Sequence, residues 1–258
     1  MLNLKYINYE IHDDGIAFIN LNRNPVNALN INILNDLDKV LIDIKSNPDC
    51  RLVVFRSLQK HFCAGADLSE RKSMSKKDVL KFLEKINILF DKIDSLPIPT
   101  ISSINGAALG GGLELALCCD FRIASESSVV GLTETSLGII PGAGGIARLV
   151  NIIGLSKAKY WVYTAQRFSS ENAYNDGVID FISKDEELLG VTLEVAQEIL
   201  DNAPIAIKTS KELLNNCIKS KDFNKAQLEA YLKVIDTEDK KEALKAFSEK
   251  RKPKWKNR

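Results

Sequence analysis

The chain has 258 residues, 45% hydrophobic and 27% charged, and its 35 Lys plus Arg against 34 Asp plus Glu leave a formal net charge of +1. A chain of this length can bury a core without cross-links, and its charge balance supplies no global field to draw nucleic acid, a membrane surface or an acidic partner. Five cysteines (Cys50, Cys63, Cys118, Cys119, Cys217) form no C-x-x-C pair, and the two histidines, His12 and His61, lie away from ligand spacing, so no metal site is expected and the thiols read as reduced. Residues 1–10 lack the apolar stretch of a signal peptide and the acid-poor character of a transit peptide. No uncharged apolar run approaches the roughly 18 residues that span a bilayer. The expectation is a cytoplasmic protein with no membrane partner.

In chain order, Ile16–Leu21 reads as a strand, a β-branched and apolar run between Gly15 and Asn22. Helical periodicity fills Ile33–Ile44, and Leu52–Phe55 is the next strand. Lys77–Ser95 reads as a helix, with Phe82, Leu83, Ile86, Leu89, Phe90 and Ile93 at helical spacing and Ser75 as its N-cap. Thr100–Ile104, Phe121–Ala124 and Val178–Ile182 are further strands. Beyond residue 185 the strand signals stop, and Leu188–Leu200, Ile205–Ile218, Phe223–Ile235 and Glu238–Lys250 carry helical periodicity. Alternating strands and helices predict an α/β class, with a core over residues 1–200 and a helical region over 201–258.

Three small-residue stretches could carry chemistry. The first, Asn105–Cys119, sets Gly110, Gly111 and Gly112 after a strand and before an apolar helix, where backbone N–H groups can approach a ligand closely. Glu114, in the first turn of that helix among Leu, Ala and Cys, must be paired, hydrogen-bonded or shifted in pKa if buried. Its bland alternative is a solvent-facing carboxylate at a helix start. The second stretch, His61–Leu68, is another strand-end loop, and stabilising an oxyanion takes converging amide donors. The third, Gly131–Gly145, contains Glu134, which taken singly reads as a surface or cap residue. Gly142–Ala147 formally matches a dinucleotide fingerprint, but Pro141 stands where the strand should end and no acid lies between Ile146 and Ser170 to hold a ribose. No G-x-S-x-G elbow or P-loop occurs.

Taken together, Leu21–Leu29 (LNRNPVNAL), FCAGADL, ALGGGLELAL, LTETSLGIIPGAGG and Lys250-Arg251 resemble, in order and spacing over nearly the whole chain, the enoyl-CoA hydratase/isomerase (crotonase) superfamily. ADLSERKSMS and GGGLELALCCDFRIA are most similar to its methylglutaconyl-CoA hydratase branch, which includes an AU-rich-RNA-binding member. The resemblance implies a crotonase-like spiral of ββα units followed by a C-terminal helical trimerisation region, and a homotrimer or dimer of trimers. It implies an enoyl-CoA hydratase without metal or redox cofactor, CoA entering as part of the acyl-CoA substrate. Ala66 and Gly111 match the positions whose N–H groups bind the thioester oxygen, and Glu114 and Glu134 match the catalytic carboxylates. Val26, Lys60 and Ala64 fall on the CoA side, while Tyr231 and Lys250 match positions that reach the CoA nucleotide of a neighbouring subunit.

The acyl pocket is expected between Leu68 and the Lys77–Ser95 helix, where Arg71 or a nearby Lys could meet a distal carboxylate such as that of 3-methylglutaconyl-CoA. Competing readings are an isomerase or another acyl-CoA lyase on the same fold, which commonly retains only the second carboxylate, and an RNA-binding protein. The helix that carries a row of lysines in the RNA-binding relative reads Ile31, Asn35 and Lys39 here, so RNA binding is expected to be weak. The segment from Lys252 onward reads as a solvated, frayed basic tail.

Overall fold

The computed structural model describes residues 2–216 and 223–258; Cys217 and the end of the expected Ile205–Ile218 helix lie outside them. The chain divides into two compact units, residues 2–96 with 100–193, and Pro97–Pro99 with Glu194–Arg258.

In the first unit the chain runs β1 (Ile7–Ile11), β2 (Ile16–Leu21), α1 (Ile31–Ser46), β3 (Leu52–Ser57), α2 (Leu68–Ser73) and α3 (Lys76–Asp94). It continues through β4 (Thr100–Ile104), β5 (Ala107–Leu109), α4 (Gly111–Ala116), β6 (Phe121–Ser125) and β7 (Val129–Gly131). A 3₁₀ turn (Glu134–Leu137), α5 (Gly145–Thr164), β8 (Phe168–Ser169), α6 (Ser170–Asp176) and β9 (Phe181–Ser183) follow, before the start of α7 (Leu188–Leu200). Six strands form one sheet in the order β1-β2-β3-β4-β6-β9, parallel except for the β1–β2 pair, and β5-β7-β8 form a second. Strands β2 and β4 are buried throughout, which is why they appear in the sequence as nearly continuous apolar runs. β1 lies at the sheet edge and alternates, with Asn8 and Glu10 facing outward; that polar half masks the strand in the sequence.

Twice the chain lays one strand in the large sheet and the next in the small sheet before turning into a helix, as β4-β5-α4 and as β6-β7 leading to α5. Parallel pairing of β5 with β7, and the parallel bridge of Cys63 with Ala108, step each turn onto the next and produce the expected spiral. The periodicity of α3 is borne out: Phe82, Ile86, Leu89, Phe90 and Ile93 are buried, and Ser75 closes a capping box with Asp78.

Val178–Ile182 is not a strand over its length. Gly177, at φ 88°, ends α6, and only Phe181–Ser183 pairs with β6. Val178 and Ile179 are buried coil: their amides donate to the Ala173 carbonyl at 2.8 and 3.2 Å, and Arg122 Nε donates to the Val178 carbonyl at 2.6 Å.

The second unit holds α8 (Pro204–Asn216), α9 (Phe223–Ile235) and α10 (Glu238–Ser248). α10 ends two residues before the expected Lys250, which itself adopts φ 51°. The basic tail is tied down and not frayed. Buried Asp239 accepts the amides of Lys256 and Asn257 at 2.6 and 3.0 Å, and Trp255 donates to the Asp201 carbonyl at 2.9 Å. Among the described residues no helix is long and apolar enough to cross a membrane.

Candidate active site

The site begins with the loop between β2 and α1. Buried Asn27 sits at φ 52°, a conformation that Asn tolerates better than most residues. Its side-chain amide donates to Ser57 Oγ at 2.6 Å and to the carbonyls of His61 and Phe62 at 3.0 Å each, while its Oδ1 accepts the Arg23 amide at 2.7 Å. Arg23 in turn pairs with Asp67 at 2.5 Å. Asp67 caps α2, and its carboxyl is held at about 2 by the Ser69 hydroxyl first and by the Glu70 amide and Arg23 with it. The Leu21–Leu29 stretch therefore works as a clamp on the 61–67 loop.

Two amides beside this clamp have no hydrogen-bond partner among the described residues. Leu29 pairs across Ala66, donating to the Gly65 carbonyl at 2.7 Å and accepting the Asp67 amide at 3.0 Å, so the Ala66 N–H faces away from the pairing. Gly111 opens α4, where a helix leaves its first N–H groups unpaired. A Cβ on Gly111 would lie 3.7 Å from the Ala66 nitrogen, so the two amides are neighbours. Their approach needs glycine, since a Cβ on Gly112 would stand 2.0 Å from the Cys63 carbonyl oxygen.

Glu114 and Glu134 line the same cavity of about 320 Å³ as Ala66 and Gly111. Glu114 is 3% exposed, and its Oε1 accepts the amides of Ala143 and Gly145 at 2.8 and 2.9 Å. Burial raises its proton affinity more than those amides and Arg148 lower it. Glu134, at the start of the 3₁₀ turn, is 9% exposed, and its Oε2 has no hydrogen-bond partner among the described residues. Burial, and then the charge of Glu114, push its carboxyl up to about 7. Neither glutamate is the solvent-facing residue that its own stretch of sequence permits.

The third glycine-rich stretch proves to be an anion cradle for a side chain of the protein itself. Its amides at Ala143 and Gly145 hold Glu114. Arg148 of α5 donates to the Ala143 carbonyl at 2.8 Å and pairs with Asp91 of α3 at 2.8 Å, and Asn87 donates to the Gly142 carbonyl at 2.7 Å. The sequence signal of this stretch is the glycine run opening a helix, which matches a dinucleotide fingerprint without the preceding strand or the ribose-binding acid.

Of the other expected positions, Ala64 lines the cavity, and its amide donates to the Val26 carbonyl at 3.0 Å. Leu68, Arg71, Phe82 and Leu83 line the cavity as well. Lys60 is exposed and outside the lining. Tyr231 and Lys250 are exposed on the second unit. Thr133 and Arg167 also line the cavity and escaped the sequence reading.

Adjacent amide donors beside two carboxyl groups of altered proton affinity define an acid–base enzyme suited to a reaction in which an oxygen gains negative charge. The family described as enoyl-CoA hydratase/isomerase matches residues 12–258. A probable mitochondrial enoyl-CoA hydratase 2 of Arabidopsis thaliana is 42% identical over 246 residues, 93% of this chain and 81% of that protein. The mitochondrial methylglutaconyl-CoA hydratase of Homo sapiens is 38% identical over 261 residues, 98% of this chain and 77% of that protein. The crystal structure of an enoyl-CoA hydratase from Bacillus anthracis superimposes with a TM-score of 0.95 at 39% identity, covering 98% of this chain and all of that one. The chain belongs to the enoyl-CoA hydratase/isomerase family, and it is an enzyme.

Proposed function

We propose that the enzyme adds water across the C2=C3 bond of a short-chain or branched 2-enoyl-CoA. As hydroxide adds to C3, negative charge moves through the conjugated system to the thioester oxygen. The Ala66 and Gly111 amides stabilise that enolate more than the ground-state carbonyl, which lowers the barrier. Each such donor contributes on the order of 3 kcal/mol. Glu114 in its ionised form takes the proton from water, and Glu134 in its protonated form delivers one to C2. The observation that carries this reading is the pairing of Glu114, anchored by two amides, with Glu134, whose buried Oε2 has no partner. CoA is a carrier attached to the substrate, and no metal or redox cofactor takes part.

Within the family, the ADLSERKSMS segment favours the methylglutaconyl-CoA hydratase branch, with 3-methylglutaconyl-CoA as one candidate substrate. The second unit is read as the oligomerisation region, supported by exposed Leu228, Tyr231 and Leu232 on α9. In a trimer or a dimer of trimers, Tyr231 and Lys250 then serve a neighbour's CoA. The test is the loss of enoyl-thioester absorbance with crotonyl-CoA. Turnover by the native enzyme, lost in both Glu114→Gln and Glu134→Gln, supports hydration. No turnover by the native enzyme, or a Glu114→Gln variant that isomerises 3-enoyl-CoA at the native rate, contradicts it.

A further inference from the structure

Glu114 is fixed by hydrogen bonds to its carboxylate, but Glu134 has an unpartnered Oε2, so its placement falls to the backbone of the 3₁₀ turn that carries it. That turn is lightly built. Its backbone bonds among the described residues close within residues 133–139: the Ser136, Gly138 and Ile139 amides donate to the Thr133, Thr135 and Glu134 carbonyls at 3.3, 3.2 and 3.3 Å. Among the described residues one side-chain hydrogen bond ties the turn to another element. Half-buried Thr135 donates from Oγ1 to the carbonyl of Val162, in the last turn of α5, at 2.7 Å. A helix leaves the carbonyls of its last turn unpaired, and Val162 is buried, so the hydroxyl satisfies an acceptor that the helix cannot.

The anchor is firm. Trp161, next to Val162, is fully buried, stacks on Phe168 with ring centroids 3.9 Å apart, and donates from Nε1 to Asp176 at 2.8 Å. α5 also breaks at Gly154, which adopts φ 76° and ψ 165°. The half that ends at Val162 is thus a separate rod from the half whose Gly145 amide holds Glu114. Room for movement exists on one side only. A Cβ on Gly110 would lie 3.1 Å from Glu134 Oε1, so the carboxyl already packs on the backbone that leads into Gly111. On the turn itself and just after it, Leu137, Ile139 and Ile140 are all more than half exposed and give it little packing. We infer that Thr135 is a positioning residue: by capping the end of α5 it holds the Glu134 carboxyl against Gly110, in the cavity shared with Glu114. This deepens the proposed hydration and rests on it for the reaction, whereas the placement of Glu134 can be read without turnover.

The experiment compares Thr135→Val, which keeps the shape and deletes the hydroxyl, with Thr135→Ser, which keeps the hydroxyl, in the full-length enzyme. Thr135→Val is expected to lower kcat for crotonyl-CoA by about tenfold to a hundredfold, the scale of a misplacement near 1 Å, with KM changed by less than about twofold. Thr135→Ser is expected to recover most of the loss. The second readout is the carbon-13 titration midpoint of the Glu134 carboxyl, about 7 in the native site because of burial and then the charge of Glu114. In Thr135→Val the turn moves outward, the carboxyl gains water and the midpoint is expected to fall toward 4.5, whereas in Thr135→Ser it stays near 7. The other charged groups lining the cavity, Glu114, Arg71 and Arg167, are the same in all three proteins. Thr135→Ala also lacks the hydroxyl but leaves room for water to reach the Val162 carbonyl, and it replaces Thr135→Val should that variant not fold. A native kcat in the folded hydroxyl-free variant overturns the inference, as does a midpoint that stays at about 7 in it. So does an equal loss in Thr135→Ser. Failure of the native enzyme to hydrate crotonyl-CoA would break the proposed reaction and leave the midpoint comparison intact, so the two failures are distinguishable.

Discussion

The two carboxylates sit in one cavity but in opposite kinds of surroundings. Glu114 is held from below by a loop that is itself strapped by Arg148 and Asn87, so its position is over-determined. Glu134 stands on a single 3₁₀ turn, next to Leu137, Ile139 and Ile140, which are all more than half exposed. One side of the cavity is built by hydrogen bonds and the other mostly by apolar surface. Burial raises the proton affinity of both groups; backbone amides oppose that rise at Glu114, whereas the charge of Glu114 adds to it at Glu134. The lesson is that backbone amides, more than neighbouring side chains, distinguish the two.

The largest effects should come from the carboxyl groups themselves. Glu114→Gln and Glu134→Gln are each expected to lower kcat for crotonyl-CoA by about 10²–10⁴, the usual range for a general acid or base. Next is the support of the fixed side. A Cβ on Gly145 would lie 2.6 Å from Glu114 Cγ, so Gly145→Ala should push that carboxylate out of place. A displacement near 1 Å costs roughly a hundredfold, and kcat should fall more than KM rises. If Gly145→Ala were fully active, the cradle would have no role in positioning.

Stability should also report the difference. Glu134 titrates at about 7 in the folded protein against 4.5 when unperturbed, so between those values the folded state binds more protons than the unfolded state. Its contribution is therefore present below about 4.5 and lost as pH rises through about 7. Glu134→Gln should flatten the fall in the urea midpoint between pH 5 and pH 8; an unchanged slope would show that Glu134 is not the group responsible. The smallest effect belongs to the open wall. Ile140, 68% exposed, should cost no more than about 0.5 kcal/mol of stability when changed to Ala.

The buried parallel strands and α3 were legible because burial on both sheet faces, or on one helix face, leaves an apolar pattern in the chain. β1 was hidden by its polar outer half, and β5 and β7, at three residues each, are too short to carry a period. Ala66, Gly111, Glu114 and Glu134 could be named through family motifs, but their convergence could not be derived from spacing. It depends on Asn27 gripping a loop more than 30 residues away and on Gly112 admitting the Cys63 backbone. Arg148 and Arg167 were missed for a related reason: a lone arginine has no sequence signature until the fold sets something beside it. The Gly142–Gly145 run shows in the sequence only a formal dinucleotide fingerprint that its surroundings do not support, and the three-dimensional fold gives its amides to Glu114.

The division of labour between the carboxylates is tested most directly by NMR titration of carbon-13-labelled glutamate side chains in the native enzyme, with Glu134→Gln to assign the resonance. One carboxyl should titrate near 7, and its midpoint should fall in Glu114→Gln, because the charge of Glu114 is the second cause of the shift after burial. A Glu134 carboxyl that titrates near 4.5, with or without Glu114, would contradict the split on which the acid and base roles depend.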